Sequence, residues 1–177
     1  MTGTDGRRED LGALVRAAQQ GDAFALDEVV SLLMPYVGRV CAPIALQDAP
    51  DAAQEAMIAI VRNLRQLKSP EALFGWARAI AAREAVRFAT RRSPRSEAAT
   101  DRADDQPGDH DPELATDIRD VLERLPPEHR AVLTLRHVEG LDEQSVSEIL
   151  DLPLGTVRSR LFRARHGFRT AWGAEHR

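Results

Sequence analysis

A chain of 177 residues that is 43% hydrophobic and 29% charged, with a formal net charge of -4, can build one compact domain or two small ones and does not have a disordered protein's composition. No apolar run is expected to cross a bilayer, which takes roughly 20 residues, and Met1 to Asp10 is polar without a signal-peptide core, so a cytoplasmic chain without membrane insertion is expected. The one cysteine, Cys41, excludes an internal disulfide and lies among Val40, Ala42 and Ile44, as a small buried thiol would.

Taken in chain order, residues 1–9 read as a disordered tail. Asp10 is placed to cap a helix to about Gln20, which Gly21-Asp22 interrupts before a second helix from Ala23 that Pro35 kinks. A third helix, from about Pro50 to Leu67, puts Ala53, Ala56, Met57, Ile60, Val61, Leu64 and Leu67 on one face and turns Glu55, Arg62 and Gln66 outward. Ser69-Pro70-Glu71 supplies a cap, a first-turn proline and an early acid for a fourth helix, which leads through Trp76 and Ile80 to Arg91-Arg92.

Ser93 to Pro112 has almost no large apolar residue, six acidic side chains and three prolines, so it reads as a flexible acidic linker. It divides a first module, 10–92, from a second, 113–172, and 173–177 forms a tail. The second module opens with Asp111-Pro112 capping a helix to Arg124, and Pro126-Pro127 forces a break before a helix that Gly140 closes. Asp142 caps a short helix through Leu150, a turn follows at Asp151 to Leu154, and a last helix runs from about Gly155 to Phe168. No strand pattern competes. The expected fold is all-α: two small helical domains, the C-terminal one a helix-turn-helix.

The last helix carries the functional signal. Val157, Leu161, Ala164 and Phe168 form its apolar stripe, expected against Val146, Ile149 and Leu150. The opposite face then holds Thr156, Ser159, Phe162, Arg163 and His166, flanked by Arg158, Arg160 and Arg165. Only Lys68 among the 24 basic residues is lysine, and arginine's fork of donors matches phosphates and guanine edges. No acid interrupts Pro153 to Arg169, whereas a solvated helix normally interleaves glutamate with arginine. Small hydroxyls with arginines on one exposed face suit a major groove.

The run LERLPPEHRAVLTLRHVEGLDEQSVSEILDLPLGTVRSRLFRAR, Leu122 to Arg165, closely resembles region 4 of extracytoplasmic-function sigma factors. Leu11 to Arg92 resembles sigma region 2, through LVRAAQQGDAFALDEVV and DAAQEAMIAIVRNLRQL. The resemblance implies a subunit that binds core RNA polymerase and promoter DNA. By position, Arg158, Ser159 and Arg163 would contact the minus-thirty-five element, with Thr156 and Arg160 as supports. It implies a clamp-holding role for Asp51, Gln54 and Glu55. The loop Gln66 to Glu71 would capture the opened minus-ten strand, with Lys68, Trp76, Arg78, Arg83 and Arg87 beside it, although Trp76 next to Leu73 and Ile80 also reads as core.

Three departures stand out. The family usually has an aromatic near Arg78 and an asparagine where Arg83 stands, and Phe162 replaces a typically polar residue on the reading face; Phe162 could touch a thymine methyl, pack on polymerase or be covered by a regulatory partner. No phosphate-binding glycine loop, nucleophile elbow or zinc spacing is present, so neither enzymatic activity nor a cofactor or small-molecule substrate is expected. Control by an anti-sigma factor is left open. Two rivals compete. One is a helix-turn-helix regulator acting on duplex DNA without polymerase. The other is a metal site from Asp104, Asp105, Asp109, His110 and Asp111, which the metal itself would have to order.

Overall fold

The computed structural model describes residues 3–92 and 112–175, and all regular structure there is helical. Asp22 begins the second helix by accepting hydrogen bonds from the backbone N–H of Phe24 (2.9 Å) and Ala25 (3.1 Å), as a short carboxylate does at an N-cap. From there α2 (Ala23–Ala45) continues through Pro35 and Pro43. Val29, Leu33, Val37, Val40 and Ile44 recur along it at helical spacing, and all are buried. Around α2 pack α1 (Gly3–Gln19), α3 (Ala49–Asn63) and α4 (Leu73–Arg92).

Several expectations are corrected here. Asp10 lies inside α1, which begins seven residues before it, because Arg7-Arg8-Glu9 are good helix formers and continue the same turn. On α3, Val61 is 36% exposed and Ala52 is buried in its place, because α3 ends at Asn63 and a 3₁₀ turn, Leu64–Gln66, folds Leu64 and Leu67 inward. Ser69 does not cap the backbone: its hydroxyl donates to Glu71 (2.6 Å), and a 3₁₀ turn at Pro70–Ala72 precedes α4. Residues 23–66 do contain an 18-residue window apolar enough to cross a membrane by length and composition, with a mean hydropathy of 1.7. Its apolarity has another use, since α2 is covered by α1, α3 and α4.

The second module comprises α5 (Pro112–Glu123), α6 (Pro127–Leu133), α7 (Glu143–Leu150) and α8 (Leu154–Glu175). Asp142 caps α7 by accepting from the Ser145 N–H (2.7 Å), and that bond holds its carboxyl below the usual range. Asp151 ends α7 in the left-handed conformation (φ 52°), and Gly140 (φ 68°) makes the preceding corner. Val157, Leu161 and Ala164 are buried as expected. Phe168 instead meets Leu46, Leu122 and Leu125 and stacks on Trp172 (centroids 6.1 Å apart). That i,i+4 aromatic pair favours continuing α8 past the expected end, to Glu175.

After Leu133 the helix widens into a π turn, Thr134–Val138, in which the Glu139 N–H reaches back to the Thr134 carbonyl (3.0 Å). One extra residue in a helix rotates everything beyond it by about 100°. Without it, residue 138 would continue the buried face of Ala131 and Leu135. With it, Val138 is 71% exposed and Glu139 turns inward toward the first module.

The modules share one core: Ala131, Val132, Leu135, Val146 and Val157 belong to the same cluster as the buried residues of α1 to α4. Arg130, only 6% exposed, staples the junction. Its Nε donates to the Ile44 carbonyl at the end of α2 (2.7 Å), and its Nη1 donates to the carbonyls of Leu125 (2.8 Å) and Leu122 (3.4 Å). Burial lowers its pKa, so the guanidinium is held by carbonyl dipoles at a desolvation cost. The expected linker and the Asp104 to Asp111 cluster lie outside the described residues, apart from Pro112.

Candidate nucleic-acid interface

Helix α8 stands on α7 and α6 with its apolar stripe down, which leaves the predicted reading face outward. Arg158, Ser159, Phe162, Arg163, Arg165 and His166 are exposed, and Thr156 and Arg160 are half-buried. Phe162 is 71% exposed, a large apolar ring among cations. Arg163 is held along the helix, its Nε donating to the Ser159 carbonyl (3.3 Å) and its Nη2 to Ser159 Oγ (3.4 Å). A guanidinium tethered this way loses less freedom on meeting a base or phosphate.

The acid missing from the stretch Pro153 to Arg169 is supplied by α7: Arg158 Nε donates to Glu143 Oε2 at 2.8 Å. The sequence pattern could not show this, because the partners lie 15 residues apart on different helices. Arg165 Nε donates to His137 Nε2 (3.2 Å), an acceptor only while that imidazole is neutral. Burial first, then Arg165 and Arg136, lower the His137 pKa. His129 is likewise lowered, by burial and then by Arg163 and Arg160. Both imidazoles therefore register the positive field around α8.

The α4 residues sit differently. Lys68 is exposed in a loop that Gln19 holds in shape, its Nε2 donating to the carbonyls of Leu64 (2.9 Å) and Leu67 (2.8 Å). Trp76 is half-buried and packs against the core. Arg87 pairs with Glu84 on its own helix (3.1 Å). Arg78 and Arg83 face the second module: Arg78 Nη1 meets Glu139 Oε2 (3.4 Å), and Arg83 Nη1 donates to the Ile149 carbonyl (3.3 Å). Arg83 and Arg87 also line an open groove of about 250 Å³ between the modules, with Arg160 from α8 and Glu128 from α6.

Asp51, Gln54 and Glu55 are all exposed on the first turns of α3. Gln54 and Arg62 border a shallow apolar groove of about 370 Å³ lined by Val30, Met34, Met57, Ile58 and Val61. Sequence reasoning missed Glu139, Arg130, Tyr36 and Gln19. Arg130 alone left a trace, as a cation beside Ala131 on an otherwise apolar helical face.

An all-helical pair of modules ending in a helix-turn-helix with an exposed arginine face defines a DNA-binding protein of the transcription machinery. Residues 115–166 match the family described as Sigma-70, region 4. The chain is 33% identical over 170 residues to the ECF RNA polymerase sigma-E factor of Haemophilus influenzae, spanning 86% of this chain and 90% of that one. It is 33% identical over 173 residues to the RNA polymerase sigma-H factor of Pseudomonas aeruginosa, with 86% and 88% covered. The fold resembles that of the sigma factor RpoE solved with the anti-sigma factor NepR from Bartonella quintana (TM-score 0.63, 16% identity, 82% of this chain and 95% of that one). It also resembles CnrH, solved with the cytosolic domain of CnrY (TM-score 0.60, 21% identity, 92% and 96% covered). The chain belongs to the extracytoplasmic-function sigma factor family.

Proposed function

We propose that this sigma factor joins core RNA polymerase and sets where transcription starts by seating α8 in the major groove of the upstream promoter element. Ser159, Phe162 and Arg163 face base edges, while Thr156, Arg158 and Arg160 support them or grip phosphates. One observation carries this reading: an eight-residue stretch of α8, Arg158 to Arg165, exposes three arginines, a hydroxyl and an aromatic ring while burying only Leu161 and Ala164.

Asp51, Gln54 and Glu55, with the apolar groove beside Gln54, are the surface offered to the polymerase. Lys68, Trp76, Arg78, Arg83 and Arg87 lie along the opened strand, where stacking and cations are needed. No bond is made by the factor itself: the two modules act by differential binding, each raising the effective concentration of the other on one promoter. The factor works where the chromosome is transcribed, in the cytoplasm, and the NepR complex of its structural neighbour supports control by an anti-sigma factor.

The test is transcription of genomic fragments by core polymerase with and without the purified chain. Defined new start sites are expected. A correctly folded chain that neither binds core polymerase nor creates a start site would sink the reading.

A further inference from the structure

We propose that Glu139 is an internal stand-in for the DNA backbone, closing the free factor by occupying the arginine face of α4 that the opened strand needs. The inference rests on the proposed strand-capturing role of Arg78 and Arg83.

The geometry of the junction carries it. The Glu139 carboxylate, 15% exposed, accepts from Tyr36 Oη (3.0 Å) and Arg78 Nη1 (3.4 Å), tying the second module to both α2 and α4. A few residues along α4, Arg83 spends a donor on the Ile149 carbonyl at the end of α7. An anionic oxygen thus takes the half-buried Arg78 guanidinium that a phosphate would otherwise take, and a carbonyl dipole occupies one donor of Arg83, which stays exposed. Tyr36 is braced for this contact by its edge-on packing against Phe74 (5.2 Å). Burial, followed by the bond to Glu139, raises its phenol pKa, so the hydroxyl stays a donor. The π turn is the device that aims Glu139: an uninterrupted helix would present Val138 to the junction instead.

The closure is built to be released. Arg78 Nε is buried without a hydrogen-bond partner, so the closed state leaves a charged group incompletely satisfied. A strand phosphate supplies that missing acceptor. Promoter engagement and closure therefore compete for the same side chains, and affinity for single strands is reduced by the fraction of molecules that are open.

The experiment uses the full chain with spin labels at Ser31→Cys on α2 and Thr170→Cys on α8, both exposed, while Cys41 is buried. Inter-label distances are measured by pulsed dipolar spectroscopy in the parent, Tyr36→Phe and Glu139→Gln. Binding of a short labelled single-stranded oligonucleotide of mixed sequence is measured on the same proteins. Both variants are expected to lengthen and broaden the distance distribution and to bind the oligonucleotide about fivefold more tightly, as a shifted open fraction requires. Tyr36→Phe changes no charge, and Glu148→Gln, on the exposed side of α7, makes the same charge change as Glu139→Gln and is expected to do neither. Unchanged distances overturn the proposal, and so does opening without a gain in affinity. Failure of the parent to start transcription would count against the functional reading instead, because the distances do not depend on it.

Discussion

Helices α4 and α8 are both rich in arginine, yet they differ in what those arginines can reach. On α8, Arg163 and Arg165 are exposed and bond to Ser159 and to the His137 imidazole among the described residues, and Arg158 is 64% exposed despite its pair with Glu143. On α4, Arg78 is 21% exposed and paired with Glu139 of the second module, whereas Arg83, with one donor on the Ile149 carbonyl, and Arg87, beside Glu84 on its own helix, stay exposed. Charge content does not distinguish the two helices; the cover over Arg78 does. A guanidinium facing water can exchange hydration for a phosphate at small cost, whereas one already bonded at an interface must first give up its partner.

The largest expected effect comes from breaking the cover. Arg130→Ala leaves the carbonyls of Ile44, Leu122 and Leu125 without their shared donor and should cost about 2–4 kcal/mol in urea unfolding. It should also speed hydrogen exchange along α4; a loss below about 0.5 kcal/mol, the scale of neutral surface changes, would show that the staple is not holding the modules.

Next is Arg163→Ala on the open helix, expected to weaken specific duplex binding by about 1–3 kcal/mol, with a loss that varies by base. Arg87→Ala should leave duplex affinity unchanged at the same salt concentration. Equal losses from the two would erase the distinction between the helices.

Glu143→Gln sharpens the comparison within α8. The Arg158–Glu143 pair is largely exposed, so stability should change by at most about 1 kcal/mol, and freeing Arg158 should hold or raise duplex affinity. A fall in affinity would mean that Glu143 positions Arg158 for contact.

The smallest effect is in pH. His129 has a lowered folded pKa, so its contribution to stability is present above the unfolded value of about 6.5 and is lost as pH falls through the folded pKa. His129→Gln should flatten that slope in unfolding experiments between neutral pH and pH 5. Duplex DNA on α8 should raise the His129 pKa, because phosphates offset Arg163 and Arg160. An imidazole NMR titration unmoved by DNA would place the duplex elsewhere.

Much of this was legible from residue order. The Asp22 and Asp142 caps, the Gly140 corner and the buried Val157, Leu161 and Ala164 follow from local rules of capping, backbone freedom and helical periodicity. The exposure of Glu55, Arg62 and Gln66 followed from the same periodicity on the third helix. Val61 and Phe168 did not follow, because where a helix ends and what approaches it from a distant segment are not properties of its own stretch.

The chain order by itself determined the all-helical class and the outward face of α8, since each depends on spacing within about a dozen residues. Only the tertiary structure decided that Arg130 would be buried, that a π turn would expose Val138 and turn Glu139 inward, and that Arg78 would meet Glu139 across 61 residues. Those outcomes depend on long-range packing, where an apolar junction sets which polar groups lose water and must find partners.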